Sequence, residues 1–161
     1  MSDAKTATRE SLSIAAVVAP IIVVACYWPA LPARVPSHFN AQGQPDDWAA
    51  KITIVAVPIL SVVLWIALRT VREFPGLFNY PVKITDENRA RQEFLAIRLI
   101  DWLGFEVSLV FAYLTIQQVR VSLGHASGLG ASFLWIALLA VFGTIGLYLR
   151  AAIQARVANH A

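Results

Sequence analysis

The sequence predicts an all-α integral membrane protein, a four-helix bundle with a structured Pro-rich extracytoplasmic loop. Three observations predict it. Of the 161 residues, 58% are hydrophobic and only 14% are charged, whereas soluble domains are about half apolar and a quarter charged. The mean hydropathy is +0.62, and a water-soluble chain of this length could not hide so much apolar surface. Four windows, 11–28, 52–68, 94–117 and 131–149, are mostly apolar and approach or exceed the roughly 17–25 residues that a spanning helix needs. They delimit one membrane domain over 11–149, with tails over 1–10 and 150–161.

The first, second and fourth windows carry no charge. Pro20 and Pro58 lie inside the first two, where membrane helices tolerate them as kinks. Tyr27, Trp28, Trp48, Trp65, Trp102 and Tyr148 fall near the span ends, where amphipathic rings favour the headgroup layer. A competing reading takes the basic start, the first apolar stretch and Val23-Val24-Ala25-Cys26 as a lipoprotein signal cleaved before Cys26. That stretch is long for a signal.

The pI of 9.4 and net charge of +3 invite a nucleic-acid partner. The basic residues are instead sorted by side. Lys5, Arg9, Arg69, Arg72, Lys83, Arg89, Arg91, Arg150 and Arg156 fall on one side of the spans. Arg34, Lys51 and Arg120 fall on the other. The richer side is expected to be cytoplasmic, which places both termini inside and residues 29–51 outside. The bilayer is then the principal partner, and no nucleic acid is expected. One cysteine, Cys26, excludes an intrachain disulfide and a Cys-based zinc site.

The outer loop, 29–51, is the most informative segment. Pro32, Pro36 and Pro45 each fix φ and extend the residue before them, so 31–36 reads as a stiff extended arm. Gly43 supplies a turn, and Asp46 or Asp47 is placed to cap the helix of the second span. His38, Asn40, Asp46, Asp47 and Trp48 are the candidate ligand-binding residues. Their spacing matches no standard metal pattern, so neither a metal nor a cofactor is expected. The plainer reading has His38 hydrogen-bonded within the loop and the aspartates capping.

Leu31-Pro32, Val35-Pro36, His38-Phe39, Gly43, Pro45-Asp46, Trp48 and Lys51 together resemble the signature of a bacterial membrane family, the domain of unknown function 1648. That family also forms the first part of SdpI-type immunity proteins. The inner segment from Phe78 to Arg89 resembles a second stretch found in family members, so the resemblance runs over about 12–115. It implies location in the bacterial inner membrane and no general biochemical activity. SdpI-type proteins protect their producer against a secreted toxic peptide and can sequester a cytoplasmic repressor. They are longer, with further spans after this domain, so that role carries over poorly.

In the inner loop, Phe74-Pro75-Gly76 reads as a turn, and Phe78, Tyr80 and Val82 alternate as an extended strip. Asn79, Tyr80, Pro81, Thr85 and Asn88 form its motif, with Thr85 as the N-cap of a helix running to Gln117. Within the third span, Arg98 and Asp101 lie three apart and can pair. Glu106 lies near mid-span, where an ionisable group costs at least about 2.5–3.5 kcal/mol. It is either a proton or cation site or a neutral tie to a neighbouring helix. In the fourth span Ala140, Gly143, Thr144 and Gly146 permit close packing, within the bundle or in a homodimer. The loop over 124–130 reads as flexible and uninformative, and the terminal tails as disordered.

No phosphate-binding glycine loop, HExxH or nucleophile elbow is present. Nothing therefore specifies a reaction, and an enzyme is the least favoured class. The sequence favours a binding protein, with an immunity-like or signalling role through the outer loop for an extracellular peptide or a cytoplasmic protein partner. The alternative is a small proton- or cation-coupled transporter using Glu106.

Overall fold

The computed structural model describes residues 2–156. Residues 157–161 of the expected C-terminal tail, His160 among them, and the side chains of Lys5 and Arg9 lie outside the described set. The chain is mostly helical: α1 (Ser2–Tyr27), α2 (Ala56–Val71), α3 (Arg89–Ser122) and α4 (Phe133–Gln154). Two strands, β1 (Arg34–Phe39) and β2 (Pro45–Ala50), stand between α1 and α2. Short 3-10 turns at Trp28–Ala30, Lys51–Val55 and Pro75–Leu77 complete the chain. The all-helical expectation is thus modified by one hairpin. The N-terminal tail is helical from Ser2 as part of α1.

Three helical segments are long and apolar enough to cross a membrane: Glu10–Ala30, Lys51–Val71 and Phe133–Gln154. They coincide with the first, second and fourth expected spans. Their side chains cannot be satisfied by one another. Leu139, Leu147, Trp135 and Phe142 of α4 are each more than 60% exposed, and Ile59, Val63 and Ile66 of α2 are exposed as well. Apolar faces this bare are consistent with a membrane protein.

The third expected span differs. At 34 residues, α3 is the longest helix, about 51 Å at 1.5 Å per residue. Its charged and amide residues keep it out of the apolar set. It packs against α1, α2 and α4, and Gln92, Ser108, Thr115, Gln117 and Gln118 on it are buried. The least apolar helix is thus the most enclosed.

The two prolines behave differently. α1 passes without a break through Pro20, which is fully buried. Pro58 is the third residue of α2, within the first turn, where a missing N–H costs no helical hydrogen bond. It is not a mid-helix kink.

The outer loop is a β-hairpin rather than an extended arm leading to a capped helix. β1 and β2 pair antiparallel, with register irregularities around His38. Asn40 and Gly43 close the turn. The Gly43 N–H donates to Asn40 O, and the Asn40 N–H donates to Gln44 O. Gly43 has φ +76°, a conformation that suits a three-residue hairpin loop. Asp46 and Asp47 lie within β2. They cap nothing: α2 begins after a 3-10 turn with Val55 at the N-cap and no side-chain cap bond.

The hairpin is fixed to the helices at three places. Val35, fully buried, joins Val24 of α1, Leu31, Ile54 and Val119 of α3 in one core cluster. Burial of one such valine contributes about 1.5–3 kcal/mol. The Gln118 amide donates to Pro36 O at 2.5 Å. At the tip, the Leu129 N–H donates to Gly43 O at 2.7 Å. The 124–130 loop is therefore a clasp rather than a free connection.

At the opposite end, α3 closes α4. The last four carbonyls of a helix lack internal partners. The Gln92 amide, on a fully buried residue, donates to Ala152 O and Ala155 O, and the Asn88 amide donates to Arg156 O and Lys83 O. Asn88, not Thr85, is the N-cap of α3. The strip from Phe78 to Val82 does alternate, with Phe78, Tyr80 and Val82 half-buried and Asn79 and Pro81 exposed. The Tyr80 hydroxyl donates to Pro75 O at 2.8 Å.

A Cβ on Gly128 would lie 2.2 Å from Gly43 O, whereas one on Gly143 would meet nothing within 4 Å. Gly128→Ala is therefore expected to cost about 1–3 kcal/mol by overpacking and to free the hairpin tip. Gly143→Ala should be neutral or slightly stabilising. Thermal unfolding in detergent, with limited proteolysis at the turn, checks both. Equal stability of the two variants would refute the clasp.

Candidate functional site

The hairpin presents two faces. Val35 and Pro36 turn inward and are buried. Arg34, Ser37, His38, Asp46, Asp47 and Trp48 are exposed. The pairing crosses strands. His38 Nδ1 and Asp46 Oδ1 are 2.6 Å apart, and the Ser37 hydroxyl donates to Asp47 Oδ2 at 2.9 Å. The Arg34 guanidinium donates to Trp48 O. With Pro32, the residues Arg34, Asp46, Asp47 and Trp48 line a shallow depression.

The structure brings His38, Asp46, Asp47 and Trp48 together on the hairpin. Asn40 is otherwise engaged: its Oδ1 accepts from the Gln42 and Gln44 N–H groups and holds the turn. Ser37 was not singled out in the sequence. Nothing local distinguishes it, since its role comes from the strand that pairs with it. Among the described residues no cluster of three His, Cys, Asp or Glu side chains is placed to hold a metal.

The electrostatics favour an ionised carboxylate at the surface. The Ser37 hydroxyl, and then the Trp48 N–H, hold the Asp47 carboxyl below its ordinary value. Both bonds are to the charged form and so stabilise it. The depression thus combines two carboxylates, the Arg34 guanidinium and one indole.

A deeper cavity of about 340 Å³ lies between the hairpin and the helices, walled by Ser37, His38 and Asn40 on one side and by Val57 of α2, Leu114 and Gln118 of α3, and Phe133 and Leu134 of α4 on the other. Beside it, Tyr113 stacks on Phe133 with centroids 4.6 Å apart, and its hydroxyl donates to Leu129 O.

The polar residues of the third expected span separate. Asp101 pairs at 2.8 Å with Arg72, the C-cap of α2, and Arg72 also reaches Glu10 of α1 at 3.4 Å. Arg98 lies over the Phe94 ring, 5.5 Å from its centroid. The expected Arg98–Asp101 tie thus gives way to an interhelical one, because Arg72 arrives from a neighbouring helix at the level of Asp101. Glu106 Oε1 accepts from the Thr144 hydroxyl of α4 at 2.5 Å. Its other oxygen is buried without a hydrogen-bond partner. The adjoining cavity, about 360 Å³, is lined mostly by apolar side chains of α3 and α4.

Residues 15–62 match the family model described as "Domain of unknown function (DUF1648)". The match covers most of the apolar part of α1, the whole hairpin and the start of α2, where the signature residues lie. It stops short of the inner segment 78–89. No curated protein and no solved structure matches the chain.

Ser37→Ala removes the largest cause of the Asp47 shift, so the Asp47 pKa is expected to rise toward 3.8. The sign follows from linkage. A carboxyl with a lowered pKa stabilises the hairpin above its ordinary range, and this is lost as pH falls through the lowered value. Carboxyl ¹³C titration in nanodiscs reads the shift directly. An unmoved Asp47 would show that the Ser37 bond is not its cause.

Proposed function

We propose that this chain, whose residues 15–62 carry the family signature, is a multi-pass inner-membrane binding protein that captures a peptide on the outward face of its hairpin. The observation that carries the reading is a contrast in one small element. The hairpin is fixed by Val35, Gln118 and Gly43, yet Arg34, Ser37, His38, Asp46, Asp47 and Trp48 are exposed. A rigid scaffold presenting open polar groups minimises the ordering cost of binding.

The charge sorting along the sequence supports an outward hairpin and a cytoplasmic N-terminus. With α3 counted as a fourth crossing, sheathed by the apolar helices, the four helices form an up-and-down bundle and return the C-terminus to the cytoplasm. Asp46, Asp47 and Trp48 suit a cationic segment with an apolar side chain: carboxylates for Lys or Arg, and an indole face that attracts either. The SdpI-type role in peptide immunity is compatible with this face. The inner end, where Asn88 and the 78–82 strip meet α4, offers a surface for a cytoplasmic partner.

The transport reading rests on Glu106. Its bond to Thr144 and the apolar character of the adjoining cavity support a clip between α3 and α4 instead. α4 packs chiefly on α3, so a hydrogen bond at mid-helix gives it register.

The test uses protein in nanodiscs and paired synthetic peptides of equal hydrophobicity, one Lys-rich and one Glu-rich. The Lys-rich peptide is expected to bind preferentially. Combined Asp46→Asn and Asp47→Asn should weaken it about tenfold, as for two exposed charge pairs of up to about 1 kcal/mol each. The amount of inserted protein should not change. Preference for the Glu-rich peptide, or no loss in the double variant, would overturn the proposal.

A further inference from the structure

The cavity between the hairpin and the helices joins the outward polar face at its rim. Ser37 and His38 both line it. Each is bonded to one of the two carboxylates: the Ser37 hydroxyl donates to Asp47 Oδ2 at 2.9 Å, and His38 Nδ1 lies 2.6 Å from Asp46 Oδ1. Asp46 and Asp47 in turn share the shallow depression with Arg34 and Trp48. A ligand seated on the carboxylates therefore has the cavity one side chain away.

Behind that rim the walls are largely apolar. Val57, Leu114 and Leu134 come from three different helices, and two phenyl rings, Phe39 and Phe133, stand with them. Among the described residues lining the cavity, His38 alone is titratable, and its ring is engaged by Asp46. A charged group that passed His38 would meet no counter-charge, whereas an apolar one gains by leaving water. The volume of about 340 Å³ is at the lower end of ordinary small-molecule sites. It suits one large side chain rather than a folded segment.

The cavity is also held in shape. Phe133 stacks on Tyr113, the Tyr113 hydroxyl donates to Leu129 O, and the Leu129 N–H donates to Gly43 O at the hairpin tip. One chain of contacts thus links the α4 wall to the hairpin wall. Walls set in advance lower the ordering cost of filling them, and rings favour another ring packed against them.

Resting on peptide capture by the hairpin, we infer that this cavity is the specificity pocket of that site. It takes one aromatic side chain, tryptophan or phenylalanine, from a peptide whose nearby Lys or Arg pairs with Asp46 and Asp47. An acyl chain would fill the same walls without answering the carboxylates; a peptide supplies ring and cation together.

The experiment uses the full chain in phosphatidylcholine nanodiscs and two Lys-rich peptides that differ at one central position, Trp or Ala. A Glu-rich counterpart of the Trp peptide completes the set, and binding to empty nanodiscs is subtracted. The Trp peptide is expected to bind about tenfold more tightly than the Ala peptide, the effect of burying one large side chain. Asp46→Asn with Asp47→Asn should weaken both alike and keep that ratio. Leu134→Trp, in the first turn of α4, fills the cavity and should bring the ratio near one. Cross-linking supplies a readout on the unaltered protein: benzoylphenylalanine in place of the peptide tryptophan should attach to α3 or α4 segments containing Leu114 or Phe133. A Lys preference without a Trp preference would overturn the inference alone. So would a ratio undiminished in Leu134→Trp, or cross-links confined to lipid or to the hairpin. If neither Lys-rich peptide outbinds the Glu-rich one, peptide capture itself fails, and the pocket assignment with it.

Discussion

The structure depends on enclosing a polar helix within apolar ones. α3 carries Gln92, Asp101, Glu106 and Gln118 into surroundings where water is scarce, and each must find a partner. They find them on α4, at the end of α2 and on the hairpin. Gln92 takes the last carbonyls of α4, Asp101 takes Arg72 at the C-cap of α2, Glu106 takes Thr144 in the middle of α4, and Gln118 takes Pro36 of the hairpin. Buried polar groups are strongly unfavourable unpaired, so these bonds fix the position of the surrounding helices more sharply than interdigitated leucines could. The hydrophobic effect offers no preference between lipid and protein for the outer helices. Packing and hydrogen bonds to α3 must hold them.

This arrangement explains why the hairpin is rigid although its sequence is short and rich in proline. A two-stranded hairpin alone is marginal in water. Here one face lies on α1 and α3 through Val35, and the tip is seated in the α3–α4 connection, where Gly128 allows the backbones to touch. Proline at position 36 removes a donor from the strand, and its carbonyl serves as the acceptor for Gln118. The element that looks least stable is thus tied at three places, and its outer polar side chains are exposed.

The two candidate polar sites differ in kind. The outward face is wet, and its pairs, His38 with Asp46 and Ser37 with Asp47, are exposed. Exposed pairs contribute little to stability. The interior groups, Asp101 and Glu106, show the reverse. They make close bonds between helices in less exposed positions, where removing a partner is costly.

The sequence by itself determined the apolar helices, their approximate ends, the position of the informative loop and the turn at Gly43. These follow from composition and local backbone preference, and such signals are written in consecutive residues. Only the tertiary structure decided that the loop pairs into a hairpin, that Asp46 and Asp47 face solvent within a strand, and that Asp101 meets Arg72. It also gave roles to Ser37, Gln92, Gln118 and Gly128. Those roles were not legible because each belongs to a contact between segments distant along the chain. A hydroxyl, an amide or a missing Cβ carries no local mark of the partner it will meet.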